Sequence, residues 1–351
     1  MEKGKTGRIT VRQIAEEAGL TIGSVSSVLN NKHVERRISP ATVAKVRETA
    51  ARLGYMPNIN ARRLRSGRES LNSVTLAVIT SFEAPLTLVN HIIKAIRRVV
   101  DEERKNGSPY QFTVTIEMFA AGDLASIPGI LTGSHFNAAI ITNTTPQDDQ
   151  FLQRVQLPYP VVMVNRTIPG YALVQEESDI GARAADMLID YGRRRLAVLH
   201  GQPVTQVIDQ RTSSFMRQVS TRLGTQVSEI VADTLSETAG VDAMRKYLES
   251  GKHLDGLYAV TDGMALGAYH SIKQAGLRIP DDVAVVGSGD YGFSSFFDPP
   301  LATVGADSQQ RAHAAVSLLM DLIHLRKIPN RSIISHGQST PRMSVSKKPQ
   351  N

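Results

Sequence analysis

The sequence predicts an α/β protein: an N-terminal helix-turn-helix headpiece followed by a two-lobed core of doubly wound parallel sheets. Three observations carry this. Residues 10–30 hold two short amphipathic stretches separated by a glycine. Positive charge gathers at that end, with 14 Lys and Arg against five Asp and Glu in residues 1–68, whereas the remaining residues hold 26 against 28. Further on, short apolar runs alternate with helical patterns, the mark of a parallel α/β sheet.

Within the headpiece, Thr10 followed three residues later by Gln13 has capping-box form, and Ile14 and Ala18 supply one apolar face of a short helix. Gly19 suits the left-handed position that ends such a helix. Thr21 caps a second helix, with Val25, Val28 and Leu29 on its buried side and Ile22, Gly23, Ser24 and Ser27 on its outer side. Small or uncharged side chains there can approach base edges in a major groove. On this pattern alone an ordinary helical hairpin remains the alternative. A basic segment on a near-neutral body is what neutralising phosphates requires, although a solvated charged face has the same composition. A third helix follows. Ser39 caps it, Pro40 takes the first position, where a missing N–H costs nothing, and Val43, Val46, Ala50 and Leu53 recur at helical spacing before Gly54. Residues 58–66 are a basic helix former too short to be stable alone in water, so they are expected to fold only against a partner. The resulting boundaries are a headpiece over 1–57, a hinge helix and linker over 58–70, a core over 71–345 and a polar tail over 346–351.

With 351 residues and 41% hydrophobic content, the chain has enough material after the head for more than one typical domain, and two lobes are expected. Strands are expected over 73–80, 112–119, 138–142 and 161–164, then over 196–199, 226–231, 256–260 and 283–286, with a late one near 333–334. Helices are expected over 90–103, 182–191, 212–223, 240–249, 264–274 and 308–325. There is no Cys, hence no disulfide frame or thiolate metal site, and no apolar segment long enough to span a membrane. The polar start lacks the apolar stretch of a secretory signal, so a cytoplasmic protein is expected.

Residues 10–67 resemble the headpiece and hinge of the lactose-repressor (LacI/GalR) family of bacterial transcription factors. Three phrases extend the resemblance into the core, which in that family looks like a periplasmic sugar-binding protein. They are Val260-Thr261-Asp262-Gly263-Met264-Ala265, the run from Gly276 through Pro280-Asp281-Asp282-Val283 to Gly287, and Pro299-Pro300-Leu301-Ala302-Thr303-Val304. The resemblance implies that the second helix enters a major groove, that Thr10, Thr21, Ser24, Ser26, Asn30, Ser39, Thr42 and Asn58 bind phosphate or sugar, and that Leu64, with Ala61 beside it, wedges between base pairs of a bent operator. It also marks departures. The family usually carries Arg where this chain has Ser27, and Ile22 and Gly23 fill the other specificity positions, so a different operator is expected. The connection containing Arg36 and Arg37 is longer and more basic than usual; it either adds backbone contacts or is a solvated loop.

Open α/β sheets bind ligands at the carboxyl ends of their strands, so a cleft between two such lobes is the expected small-molecule site. By the resemblance, Arg211 matches an Arg that donates to effector hydroxyl or carboxylate groups; its alternative is a structural ion pair across the cleft. Thr261 replaces an Asn, and Gly289, followed by Asp290, replaces an Asp that binds sugar. Asn143, Ser288, Asp290 and Tyr291 offer further hydrogen bonds. Glu177-Ser178 stands where Asp-Asn is common, Arg193 replaces a usual His, and Ser214 replaces a Gly. The expected function is therefore a DNA-binding regulator, a repressor, controlled by a sugar, sugar acid or sugar phosphate; the competing expectation is a degenerate cleft, regulated by a protein partner or not at all. The expected partners are a palindromic double-stranded operator and a second copy of the chain, which makes a homodimer, with no membrane, no metal and no cofactor. Residues 264–274 and 294–297, with exposed-looking Phe296 and Phe297, are candidate dimer contacts. The tail lacks heptads, so no tetramerising coil is expected. Against an enzyme stand the absence of a Gly-x-Ser-x-Gly elbow, a P-loop or His-Glu-x-x-His, and nine scattered His.

Overall fold

In the computed structural model, residues 9–30, 32–53, 55, 73–324 and 332–346 are described, and Asn58, Ala61 and Leu64 lie outside them. Three helices make the headpiece. Helix α1 (Val11–Ala18) opens on a full capping box, Gln13 N donating to Thr10 Oγ1 at 3.2 Å and Thr10 N to Gln13 Oε1 at 2.8 Å. Gly19, at φ 61°, ends it in the left-handed conformation that costs glycine least. Helix α2 (Ile22–Leu29) is capped by Thr21, whose Oγ1 accepts from Ser24 N at 3.1 Å. Helix α3 (Pro40–Arg52) starts on Ser39, whose Oγ accepts from Thr42 N at 3.2 Å. Ile14 and Ala15, Val25 and Val28, and Val43, Val46 and Ala50 meet in one small core, so each helix holds the other two in place.

The core consists of two lobes with one winding. In the first lobe, β1 (Ser73–Ser81), β2 (Gln111–Phe119), β3 (Ala138–Thr142), β4 (Val161–Val164), β5 (Ala172–Glu176) and β11 (Ser332–Ser335) lie in the order β2-β1-β3-β4-β5-β11, all parallel. The second repeats it as β7-β6-β8-β9-β10-β12, from β6 (Leu196–Gly201), β7 (Ser228–Ala232), β8 (Gly256–Ala259), β9 (Ala284–Ser288), β10 (Ala302–Gly305) and β12 (Gln338–Thr340), of which β12 alone runs antiparallel. Helices cover both faces, so the central strands are unbroken apolar runs such as Val161–Val164, buried at every position. Helices α4 (Thr87–Lys105), α5 (Pro146–Arg154) and α10 (Ser308–Ile323) belong to the first lobe, and α6 (Ile180–Asp190), α7 (Gln206–Leu223), α8 (Glu237–Glu249) and α9 (Asp262–Gln274) to the second. The chain crosses between lobes three times: after β5, after β10, and between β11 and β12.

Strands β5, β10 and β12 and helix α5 are missing from the sequence expectation. The reasons are local. β5 and β10 are short, and β10 ends on a glycine, while α5 carries its signal in the Thr145 capping box and Pro146 rather than in apolar periodicity. Helix α7 begins at Gln206, six residues before the expected start, which puts Arg211 inside a helix. Phe297, expected to be exposed, is buried edge-on against Tyr269, whereas Phe296 is 85% exposed. A Phe-Phe pair in a short turn points its rings opposite ways, so only one can serve as surface.

Candidate DNA interface and inter-lobe cleft

The outer face of α2 is open. Thr21, Ile22 and Gly23 are exposed, and Ser24, Ser26 and Ser27 are partly so. A Cβ on Gly23 would meet nothing nearer than Thr21 Oγ1 at 3.9 Å. The polar groups around this face pair with close sequence neighbours: Thr21 Oγ1 with Ser24 Oγ at 2.9 Å, Ser39 Oγ with Thr42 Oγ1 at 2.9 Å, and Asn30 Nδ2 donating to Ser26 O at 2.7 Å. These pairs are exposed or part-buried and are made between residues three or four apart. Arg36 and Arg37 are exposed in the turn before α3.

The cleft is built at the carboxyl ends of the two sheets, where the strand order reverses in each. Four described residues other than glycine have positive φ, and three stand here: Asn143 (59°) after β3, Asn165 (57°) after β4 and Asp290 (44°) after β9. Clustered backbone strain of this kind marks ligand clamps and switch regions. Beneath the first lobe's rim, buried Arg166 donates from Nε to Thr144 O at 3.0 Å and from Nη2 to the same oxygen at 2.7 Å, and Thr144 Oγ1 donates to Asp149. Burial lowers the Arg166 guanidinium to about 10 and raises the Asp149 carboxyl.

At the cleft floor lies a buried ion triad. Glu176, last residue of β5, accepts from Arg211 Nε at 2.7 Å and Nη2 at 2.8 Å, and from Arg311 Nη1 at 2.7 Å. Arg211 comes from α7 of the second lobe, and its Nη1 donates to Val260 O at 2.6 Å. Burial pushes the Glu176 carboxyl up, but the two guanidinia outweigh it and hold the group down at about 2. Arg211 is therefore committed: all of its nitrogens are bonded inside the protein, and it stands as the cross-cleft ion pair rather than as an open donor. The neighbouring Glu177 hydrogen-bonds His336 Nδ1 at 2.7 Å and accepts from Gly337 N at 2.8 Å, which ties the first crossover to the third.

The remaining expected cleft residues converge here too, with most of their polar atoms in use. Asn143 Nδ2 donates to Thr80 Oγ1 at 3.0 Å, Thr261 caps α9 by accepting from Met264 N at 3.2 Å, and Ser288 Oγ donates to Val304 O at 3.0 Å. Asp290 accepts from Arg342 Nη2 at 2.9 Å. Tyr291 packs beside His91, near the start of α4, with ring centroids 6.1 Å apart. At the departures, Arg193 is buried and reaches Asp281 O and Ser346 O, both at 3.2 Å, while Ser214 Oγ donates to Gln210 O at 2.6 Å, so both are structural. A separate groove of about 470 Å³ along α10, beside Arg98, is lined by first-lobe residues alone.

Two family models match this chain: bacterial regulatory proteins of the lacI family over residues 10–58, and a periplasmic binding protein-like domain over residues 185–345. The HTH-type transcriptional regulator GalS of Salmonella typhimurium is 27% identical over 317 residues, 89% of each chain. The probable HTH-type transcriptional repressor ExuR of Bacillus subtilis is 23% identical over 342 residues, 96% of this chain and 98% of its own. Among solved structures, the lac repressor dimer bound to operator and an anti-inducer superposes with a TM-score of 0.68 at 23% identity, covering 97% of this chain and all of that one. A complex of the regulator CelR with cellobiose gives 0.66 at 23%, over 96% and 100%.

The chain belongs to the LacI family. It is thus a DNA-binding transcriptional regulator with a headpiece and a periplasmic-binding-protein-like core, and the LacI-family proteins it resembles are regulators rather than enzymes. Among the described residues no helix is long and apolar enough to cross a membrane, and no group of three His, Asp or Glu is placed to hold a metal. The sequence reading passed over Glu176, Arg311, Asn165 and Arg166. Glu176 ends a strand that was itself not foreseen, and its cations lie 35 and 135 residues away, so no spacing rule could find it.

Proposed function

We propose that the protein represses transcription as a homodimer on a palindromic operator, and that the inter-lobe cleft is its regulatory input. Helix α2 is the reading element. Ile22, Gly23 and Ser27 approach base edges, while Thr10, Thr21, Ser24, Ser26, Asn30, Ser39 and Thr42 hold the phosphates. Asn58, Ala61 and Leu64 complete the interface from the hinge. The observation that carries this reading is an open, uncharged helix face mounted on a segment with nine excess positive charges. A selection of bound fragments from the source genome tests it. Recovered fragments are expected to share a two-fold symmetric site, and recovery of random sequence counts against it.

The cleft geometry changes the expected ligand. With Arg211 held by Glu176, a sugar acid or sugar phosphate lacks the cation expected to hold it, and a neutral, hydroxyl-rich ligand is the better fit beside Asn143, Asn165 and Asp290. CelR, similar in fold, is known with cellobiose. If ligand and DNA favour different lobe angles, a coupling of about 1–3 kcal/mol changes operator affinity about 5–150-fold. A second reading, a cleft without a ligand, is favoured by one observation: nearly every polar group chosen as a ligand contact is already bonded within the chain.

A further inference from the structure

Gly289 and Tyr291 form a pair whose geometry decides what the cleft admits. Gly289 has φ 123°, and a Cβ on it would lie 2.5 Å from Cε2 of the Tyr291 ring, so the ring rests directly on the glycine backbone. Any side chain at position 289 would claim the space the ring fills. From that seat Tyr291 reaches across to the first lobe, where His91 is fixed by a 2.8 Å bond between its Nδ1 and Ser308 Oγ. Phe293 backs the ring at 6.2 Å, nearly parallel. Burial raises the Tyr291 hydroxyl pKa, and the nearby Arg211 and Arg311 guanidinia partly offset that rise.

Two more contacts span the lobes. The Glu176–Arg211 pair joins them at the floor, and Thr167 N donates to Gln206 Oε1 at 3.2 Å near the mouth. All of these bonds are made by the chain itself. We propose that Tyr291 is a resident occupant of the effector seat, holding the lobes closed on a side chain where a ligand would otherwise sit. The inference rests on the cleft being the regulatory site and adds its specificity: a ligand enters that seat only by displacing the Tyr291 ring, and the closed arrangement exists without one. Aromatic occupancy also accounts for Gly289, because only a residue without a side chain leaves the ring its place.

The chain has no cysteine, so D123C and D233C, on exposed positions after β2 and β7, take spin labels at those two places only. The doubly labelled chain is refolded from denaturant to free it of any co-purified molecule, diluted into excess unlabelled chain, and its label separation measured by pulsed electron resonance. A single short-distance population is expected for the parent and for Y291F, which keeps the ring. A shift to longer, broader distances is expected for Y291A at unchanged far-ultraviolet circular dichroism. A parent already broad, a Y291A distribution equal to the parent's, or a folded Y291F behaving like Y291A overturns the proposal. If Y291A does not fold, the parent and Y291F distributions decide. Operator binding by the same labelled chain is read separately, so a failed regulator assignment shows there and not in the distances.

Discussion

The headpiece face and the cleft floor put polar side chains to opposite uses. Around α2, the pairs are made between residues three or four apart, are at least partly exposed, and leave the outer face open. On the cleft floor, Glu176 and its two arginines are buried, and their partners come from both lobes. The first arrangement keeps hydrogen-bonding capacity for a partner that arrives later. The second spends it on the protein's own fold, since buried charges must be paired where they stand. A family resemblance carries over the residue at a position, but not whether its donors are free.

Removing one member of the triad is the largest perturbation this contrast allows. Glu176→Gln leaves two guanidinia without their anion, and a loss of about 3–5 kcal/mol in urea or thermal unfolding is expected. A loss below about 1 kcal/mol would place the carboxylate in solvent-like surroundings and dissolve the contrast. The same group sets an acid limit. Because its folded carboxyl titrates near 2, below the ordinary 4.5, its stabilisation is fully present above about pH 4.5 and is lost as pH falls toward 2. The shift corresponds to about 3 kcal/mol. Unfolding midpoints followed from pH 6 to pH 2.5 are expected to fall across that window in the parent and to fall less steeply in Glu176→Gln.

The headpiece changes are smaller and act locally. Thr21→Ala removes the cap of α2 and is expected to cost about 1 kcal/mol, seen as faster amide exchange in α2 with the lobes unaffected. Gly23→Ala meets no atom that it would have to move, so headpiece stability should hold or rise by up to about 1 kcal/mol, while operator affinity falls through lost close approach. An unchanged operator affinity for Gly23→Ala would remove that position from the interface.

The same contrast explains what could be read from the sequence. Caps, the glycine stop, the buried stripe of the headpiece and most core strands follow from spacing within a few residues, and they stand where expected: Thr10 with Gln13, Gly19, Val25 with Val28. Asn143, Thr261, Ser288, Asp290 and Tyr291 stand at or just after the carboxyl ends of their strands, as expected of cleft residues. What spacing could not show was that Arg211 is already paired, that Phe297 turns inward, or that Tyr291 lies on Gly289, because each depends on contacts set by the completed fold.

The central claim, a sequence-specific DNA reader, is tested most directly by titrating the full chain against a selected palindromic fragment and against random duplex of equal length at one salt concentration. Binding at least about 1,000-fold tighter to the palindrome is expected. Equal affinity for the two would contradict the account, leaving only a basic segment that adheres to phosphate.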